Sequence, residues 1–275
     1  MLNFNGELIP ATELNINFQN RAFKYGDAVF DTLKYDQKIY FIEEHYFRLM
    51  SSVRMLRMKI PMNFTLQFYK DEIIKTIEKN HLAGKVRIRV TIFRKEGGLY
   101  TPVTNEISYL IEVEKLNNIS KEDYEIELYK DFPILSGLLS TIKTTNKIVN
   151  VLSSIFAEEN NYNNCILINE KKNIVETNNA NIFLIFGDEI VTPPLMEGCI
   201  NGIVRMKIIE FFKKNNEFII TERPISPFEL LKADEIFITN SIFEIQSVTK
   251  YRKKLFSTMK TQKIKAIFES KKELV

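Results

Sequence analysis

Residues 175–209 read VETNNANIFLIFGDEIVTPPLMEGCINGIVRMKII, and this stretch decides the fold. The apolar run IFLIF meets the turn signal Gly187-Asp188 and resumes as a second short apolar run, which predicts two strands joined as a hairpin. After two prolines the segment IVRMKIIEFF has apolar residues at helical spacing. The stretch therefore predicts strand, hairpin, loop and helix, with Glu176 on a strand and Gly202 immediately before the helix.

The start of that helix is suited to an anion. The first backbone N–H groups of a helix have no partner within the helix, and the helix dipole places partial positive charge there. Ile203 and Val204 would present such N–H groups directly after Gly202.

This pattern resembles the class IV aminotransferases, which use pyridoxal phosphate (PLP) and include branched-chain and D-amino acid aminotransferases and aminodeoxychorismate lyase. The positions that carry the resemblance are Glu176, Asn181, Ile182, Phe183, Ile190, Thr192, Ile200, Gly202, Ile203 and Arg205. One position departs, because Asn178 stands where the family usually has a small residue. We interpret Asn178 as a local packing change, since that position does not carry chemistry.

The resemblance implies an α/β protein of the α+β type with two domains, as in fold-type IV PLP enzymes. It implies a smaller N-terminal α/β sandwich, a larger C-terminal pseudo-barrel and a cofactor in the cleft between them. The sequence pattern lapses at 117–120, so we expect domains at 1–116 and 117–275. A homodimer is also an expectation from the resemblance alone.

Local patterns predict the elements of both halves. In the first half they are a hairpin at Asn5-Gly6, strands at 21–35, 38–42, 86–94 and 108–116, and helices at 43–58 and 64–80. In the second half they are a strand at 124–132, a helix at 148–160 capped by Thr144, Thr145 or Asn146, a short helix at 226–233, a strand at 235–240, a β-ribbon at 241–256 and a C-terminal helix.

Composition excludes several classes of function. The 275 residues are 45% hydrophobic and 27% charged, with a net charge of +3 and scattered lysines, which argues against nucleic-acid binding. We see no signal peptide and no apolar run near the ~20 residues of a membrane span. Cys165 and Cys199 lack zinc-ligand spacing and read as buried free thiols, so we expect no metal site and a cytoplasmic protein.

Lys143 is the candidate catalytic lysine. It lies at the end of an apolar stretch, just before a helix, where its amine would face a cleft. The string Ile142-Lys143 with Asn146 resembles the family's Schiff-base lysine segment, and Glu176 follows 33 residues later. Partial desolvation and nearby cations would lower the pKa of the amine and free it for proton transfer.

The other cofactor contacts come from the resemblance. Glu176 would accept a hydrogen bond from the protonated pyridine nitrogen. The phosphate would be bound by Gly202, Ile203 and Val204 at the helix start, by Ser241 in ITNSIFEI and by Arg48 in HYFRLM. A surface ion pair between Glu44 and Arg48 is the competing explanation for Arg48.

Arg87 and Arg89 are candidates for binding a substrate carboxylate. In VRIRVTIFR they share one face of a strand with Thr91, and two guanidinium groups side by side suit a carboxylate. A polar strand face that simply meets solvent is the alternative. The resemblance adds the N–H groups of Ile242 and Phe243 as an anion nest, and Phe30 as a wall of the substrate pocket.

The reaction type is less constrained than the cofactor. Branched-chain enzymes of the family tend to have Tyr where Lys147 stands, and Tyr-x-Arg where this chain has Arg87-Ile88-Arg89. We count Lys147 among the cofactor contacts; with Arg94 in FRKEGGLYTP it looks closer to aminodeoxychorismate lyase, which forms 4-aminobenzoate and pyruvate. Because most of the family transaminates, we predict an aminotransferase acting on a small amino acid, branched-chain or similar, and a 2-oxo acid. The lyase remains the alternative.

The alternative from a different functional class is a catalytically inert family member that serves in binding or assembly. The presence of the lysine, the carboxylate and the phosphate donors argues against it. Purified protein of this inert kind would be colourless and would gain no absorbance with added PLP.

Overall fold

The computed structural model describes residues 1–117, 121–214 and 217–272. The chain divides into two compact units, Met1–Asn118 with Lys143–Asn146, and Ile119–Ile142 with Lys147–Val275. The expected change of domain between residues 116 and 117 stays a prediction, since residues 118–120 beside it fall outside the described residues. The short segment Lys143–Asn146 lies beyond that boundary in sequence and is grouped with the first unit.

The first unit is built on one six-stranded antiparallel sheet with the order β2-β1-β6-β5-β3-β4. Its strands are β1 Leu2–Phe4, β2 Glu7–Ile9, β3 Ala28–Asp36, β4 Lys38–Ile39, β5 Val86–Arg94 and β6 Ile107–Lys115. Its helices are α1 Arg21–Tyr25, α2 Ile42–Met55 and α3 Leu66–Lys79. Side chains of α2 and α3, such as Leu49 and Ile73, share a core with sheet residues such as Leu33.

Strand β5 confirms the predicted alternation. Val86, Ile88, Val90 and Ile92 are fully buried in the core, whereas Arg87, Arg89 and Thr91 are only partly buried on the opposite face. The arginine face of the sheet is therefore set by the period of two along the strand.

Two predicted strands of this unit are partly wrong. Residues 21–25 form α1, because the Asn20 side chain accepts a hydrogen bond from the Phe23 N–H and Gly26, at φ 61°, ends the helix in the left-handed conformation. The strand predicted from residue 21 therefore begins at Ala28 as β3. The strand predicted at 38–42 is only β4, because Phe41 has φ 56° and precedes α2. The Asn5-Gly6 hairpin is confirmed, with φ 52° and 93° at the turn.

The second unit contains two five-stranded sheets, with the orders β12-β11-β10-β13-β14 and β16-β15-β7-β8-β9. Its strands are β7 Glu125–Leu128, β8 Asn164–Ile168, β9 Ile174–Thr177, β10 Asn181–Phe186, β11 Glu189–Thr192, β12 Ile219–Glu222, β13 Glu235–Asn240, β14 Glu244–Val248, β15 Lys250–Tyr251 and β16 Lys254–Leu255. Its helices are α4 Ile148–Glu159, α5 Ile203–Lys214 and α6 Met259–Lys272. Neither sheet closes on itself among the described strands.

One apolar core is shared by the two sheets of this unit. It includes Ile126 and Ile166 from one sheet and Ile182 and Ile238 from the other. Helix α4 packs separately, with Ala157 against Cys165 of β8. Both cysteines are buried free thiols, as predicted.

The hairpin and helix of the opening stretch are confirmed as β10, β11 and α5. Two details differ from expectation. The residue before α4 is Lys147, with no capping side-chain bond, rather than Thr144, Thr145 or Asn146. The short helix predicted at 226–233 is a single 3₁₀ turn, Pro227–Glu229, capped by Ser226.

Candidate functional site

Lys143 is attached to the edge of β3. Its carbonyl oxygen accepts a hydrogen bond from the Phe30 N–H at 2.8 Å, and the Thr145 N–H donates to the Ala28 carbonyl at 3.1 Å. Residue 144 is paired with Val29 as an isolated antiparallel bridge. The Lys143 Nζ lies 4.7 Å from the centroid of the Phe30 ring. The lysine is thus held by backbone pairing, and its amine lies on the aromatic residue predicted to line the substrate pocket.

Asn146 and Gly26 fix the end of this segment. The Asn146 Nδ2 donates to the Gly26 carbonyl at 3.1 Å. A Cβ added at Gly26 would overlap the Asn146 carboxamide, and the left-handed φ of 61° also favours glycine. Both local observations explain why glycine follows α1 here.

The arginine face brings Arg89 to the same ring. The Arg89 guanidinium carbon lies 3.9 Å from the Phe30 centroid, and its Nε lies 3.7 Å from a carboxylate oxygen of Glu112 on β6. Arg87 lies two residues before Arg89 on β5, and its Nη1 is 2.6 Å from Glu114 Oε1. The pKa of Arg89 is below its usual value, mainly because of burial. The Glu112 carboxylate opposes this shift, and the positive charge of Arg87 adds to it. A substrate carboxylate at either arginine would compete with the neighbouring acid.

Arg48 lies on α2 and binds Asp31 of β3. The Arg48 Nη2 forms an ion pair with Asp31 Oδ1, and His45 Nδ1 lies 3.1 Å from Asp31 Oδ2. Asp31 is buried, and Arg48 is only 13% exposed, which is unlike a surface ion pair. Burial by itself would raise the pKa of Asp31. The charges of Arg48 and His45 lower it by more, so the pKa of Asp31 lies well below its ordinary value. Asp31 therefore stays ionised and orients Arg48; the phosphate role of Arg48 stays a prediction.

Glu176 is buried on β9 in the second unit. Its Oε2 accepts a hydrogen bond from the Ile200 N–H at 3.0 Å. Because Ile200 is three residues before α5, this bond ties the carboxylate to the loop that leads into the helix. Two of the predicted cofactor contacts, the acid and the helix N-terminus, are therefore joined within one unit.

Gly202 is required at the start of α5 for steric reasons. A Cβ at this position would overlap the Asn181 Oδ1, while the Asn181 Nδ2 donates to the Ile200 carbonyl at 2.9 Å. The Met206 N–H donates to the Gly202 carbonyl at 2.9 Å, which is the first bond of the helix. The N–H groups of Ile203 and Val204 therefore lie in the first turn, as predicted.

Ser241 opens the three-residue turn between β13 and β14. The two following N–H groups, of Ile242 and Phe243, donate to the Asn240 Oδ1 at 2.9 and 3.0 Å. The Asn240 Nδ2 donates to the Asn179 carbonyl at 3.2 Å. The two N–H groups therefore converge on one oxygen, which belongs to the Asn240 side chain, and their role as an anion nest for the substrate stays a prediction. The signal for Asn240 is the Asn at the first position of a turn, a position where Asn side chains often bond the backbone ahead.

Lys147 lies close enough to Glu176 for the carboxylate charge to change the pKa of its amine. Burial lowers the pKa of Lys147 below its usual value, and the Glu176 carboxylate raises it part of the way back. The placement of Lys147 among the cofactor contacts stays a prediction.

Asn178 has a larger role than a local packing change. Its Oδ1 accepts from the Cys165 N–H of β8 at 3.0 Å, and its carbonyl accepts from the Asn150 Nδ2 of α4 at 2.8 Å. Its Nδ2 donates to Ser154 Oγ at 3.1 Å. These bonds connect α4 to the turn that follows Glu176. In the sequence, the only sign of this role is that Asn178 replaces the small residue usual in the family.

The part of the chain that the structure describes contains neither a cluster of metal-ligating side chains nor a membrane-spanning helix. In 1–117, 121–214 and 217–272, no group of three or more His, Cys, Asp or Glu is arranged to hold a metal ion. None of the helices described in those ranges combines the length and the apolarity that crossing a membrane requires.

Comparison with known proteins places these features in a family. The family model described as amino-transferase class IV matches residues 28–251. A probable branched-chain-amino-acid aminotransferase of Aquifex aeolicus is 28% identical over 261 residues, covering 89% of this chain and 82% of the relative. A D-alanine aminotransferase of Bacillus licheniformis is 25% identical, covering 90% of this chain and 86% of the relative.

A solved structure agrees with the fold. The branched-chain aminotransferase of Thermoproteus uzoniensis, crystallised with norvaline, superposes with a TM-score of 0.89 at 20% identity. The superposition covers 98% of this chain and 93% of the other. At this level of identity the likeness concerns the fold, and it confirms the expected fold type.

Proposed function

Because the chain belongs to the class IV aminotransferases, we propose that it transfers an amino group between a small amino acid, branched-chain or similar, and a 2-oxo acid, with Lys143 as the catalytic lysine. The family uses pyridoxal phosphate as its cofactor. When bound, this cofactor supplies an aldehyde for the amino group and a ring that draws electrons from the Cα of the substrate. The names of the Aquifex and Bacillus relatives support a small amino acid as substrate.

The donor set of the second unit fits this cofactor. A buried carboxylate, Glu176, is hydrogen-bonded to Ile200 close to the first turn of α5. An acid beside a helix N-terminus suits a ligand with a protonated ring nitrogen and a phosphate. This bond between Glu176 and Ile200 is the observation that carries the proposal.

Each residue then has a defined task. Glu176 would accept a hydrogen bond from the ring nitrogen of the cofactor and would keep that nitrogen protonated. Gly202, Ile203, Val204, Ser241 and Arg48 bind the phosphate, with Lys147 beside them. The Lys143 amine would move the proton between the substrate Cα and the C4′ carbon of the cofactor. Phe30, Arg87, Arg89, Ile242 and Phe243 orient the substrate and its carboxylate.

The test is a half-reaction screen of the purified enzyme with single amino acids, followed by absorbance and by 2-oxo acid release. Lys143→Ala should lower the rate by about 10²–10⁴-fold, since a positioned proton-transfer group is lost. Lys171→Ala, at an exposed lysine, is the control and should be unchanged. Borohydride should attach the cofactor to Lys143 in the unmodified enzyme. Pyruvate release from aminodeoxychorismate without any amino transfer would replace this proposal by the lyase.

We also propose a cytoplasmic homodimer with domains at 1–116 and 117–275. The support for the dimer is the family resemblance, and for the location it is the pair of free thiols. Light scattering of the purified protein tests the dimer, and a monomeric mass with full activity would contradict it.

A further inference from the structure

The turn between β13 and β14 already contains an acceptor where a carboxylate is expected. Asn240 Oδ1 accepts from the N–H groups of both Ile242 and Phe243, at 2.9 and 3.0 Å. Two adjacent N–H groups that converge on one oxygen form the geometry of an anion nest. A neutral carboxamide oxygen occupies that nest in this protein.

The orientation of the carboxamide is fixed from its other end. The Asn240 Nδ2 donates to the Asn179 carbonyl at 3.2 Å. Asn179 in turn accepts from the Asn164 Nδ2 at 3.0 Å through its own Oδ1. Because two N–H donors need the oxygen and a carbonyl needs the NH₂ group, only one orientation of the Asn240 side chain satisfies all partners.

We infer that Asn240 is a specificity-determining residue that competes with the substrate carboxylate for the N–H groups of Ile242 and Phe243. The inference rests on the proposed function, in which those groups bind the carboxylate. Hydrogen bonds to a charged acceptor are roughly twice as strong as those to a neutral one, so a carboxylate displaces the carboxamide. An amide or ester of the same amino acid lacks that advantage and is rejected.

A turn-stabilising role for Asn240 makes the opposite prediction. Asn at the first position of a turn commonly bonds the backbone N–H groups ahead of it. If that were its whole contribution, removal of the side chain would loosen the nest and weaken carboxylate binding. The sign of the change in affinity therefore separates the two roles.

The experiment compares Asn240→Ala and Asn240→Asp with the unmodified holoenzyme. Asn240→Ala removes the competitor and should lower KM for the amino acid by about 3–10-fold, the value of one or two net hydrogen bonds, with kcat nearly unchanged. Asn240→Asp keeps the shape and adds charge, so it should raise KM by about 10-fold or more. The ratio of kcat/KM for an amino acid over its amide should fall in Asn240→Ala.

Calorimetry with 3-methylbutanoate, a carboxylate that has no amino group to transfer, gives a readout that does not depend on turnover. Its Kd should follow the order Ala below Asn below Asp at position 240. A higher Kd in Asn240→Ala, or equal values in all three proteins, overturns the inference. If the screen finds no amino transfer but the calorimetric order holds, the proposed function fails and the competition at the turn stands.

Discussion

The candidate anion-binding donors of the two units differ in kind. In the second unit the candidate hydrogen-bond donors to an anion are backbone N–H groups. They lie in the first turn of α5 and in the turn after Asn240. In the first unit the donors are arginine side chains, each held by an acid: Arg48 by Asp31, Arg87 by Glu114 and Arg89 by Glu112. Backbone donors are placed by the fold itself, whereas arginines need a second residue to orient them.

This difference changes what a mutation can reveal. A backbone donor cannot be deleted by changing its own side chain, so the neighbours that shape the backbone must be changed instead. A side-chain donor can be weakened through its partner, and the effect should depend on how deeply the pair is buried. Both routes are open in this protein.

The largest effect is expected where a side-chain donor is buried. Asp31→Asn should destabilise the protein by about 3 kcal/mol, because it leaves the Arg48 and His45 side chains beside a neutral group. Urea denaturation at neutral pH measures the change. Asp31→Glu, which keeps the charge, is the matched control and should lose less.

The pH dependence of this effect has a definite sign. The pKa of Asp31 is lower in the folded protein than its ordinary value of 3.8, so its contribution to stability is complete above that value. It is lost as the pH falls from 3.8 towards the folded-state pKa. The difference between the unmodified protein and Asp31→Asn should therefore shrink below pH 3.8, and a constant difference would show that charge is not the cause.

Glu176→Gln tests the buried acid beside the backbone donors. The amide retains an oxygen to accept the Ile200 N–H but cannot keep a ring nitrogen protonated. We expect kcat to fall by about 10²–10³-fold, the usual cost of removing one preorganised electrostatic contact, with little loss of stability. Steady-state kinetics with saturating PLP gives the first quantity and thermal denaturation the second.

Glu235→Gln is the matched control for a buried glutamate of the same unit. Glu235 caps α6 by accepting from the N–H groups of Lys260 and Thr261 at 2.9 and 2.8 Å. Its replacement should lower the melting temperature and leave kcat of the folded enzyme unaltered. The assignment of Glu176 fails if both variants lose stability and activity in the same proportion.

Gly202→Ala tests the backbone donors through a neighbour. The added Cβ overlaps the Asn181 Oδ1, so the first turn of α5 or the Asn181 side chain must move, at a cost of about 1–3 kcal/mol. Titration with PLP should show a Kd about 10-fold higher. Gly137→Ala is the control, because a Cβ there meets no atom within 4 Å. An unchanged Kd in Gly202→Ala would argue that α5 does not bind the phosphate.

The parts of the molecule that the sequence predicts are those fixed by local pattern. The period of two along β5, the hairpin of β10 and β11 and the start of α5 all follow from residues close together in the chain. The helix at 21–25 was missed because its signals are the cap at Asn20 and the stop at Gly26, while its interior resembles a strand.

The partners that orient the site side chains could not be read from pattern alone. Asp31 and Arg48 are 17 residues apart, and Asn178, just after β9, accepts a hydrogen bond from the Cys165 N–H of β8. Such contacts depend on how elements pack, which periodicity does not encode. Asn240 is a partial exception, since the two bonds that its Oδ1 accepts are local and turn chemistry could have identified them.

The smallest effect is expected at the two partly exposed arginines of β5, where the Arg89 and Arg87 variants should differ. Arg89 lies 3.9 Å from the Phe30 ring centroid, whereas Arg87 pairs with Glu114, which is 61% exposed. Exposed ion pairs contribute about 0–1 kcal/mol, so Arg87→Leu should leave stability nearly unchanged and should raise KM by less than Arg89→Leu does. Arg89→Leu removes a charge fixed on an aromatic face and should raise KM for the amino acid about 5-fold, since a charged hydrogen bond contributes about 1.5 kcal/mol or less at a partly exposed position. Arg89→Lys keeps the charge but loses the planar guanidinium group, so its KM should lie between those of the Arg87→Leu and Arg89→Leu enzymes. Equal KM values for the Arg87→Leu and Arg89→Leu enzymes would mean that the aromatic contact does not make Arg89 a better carboxylate donor than its neighbour.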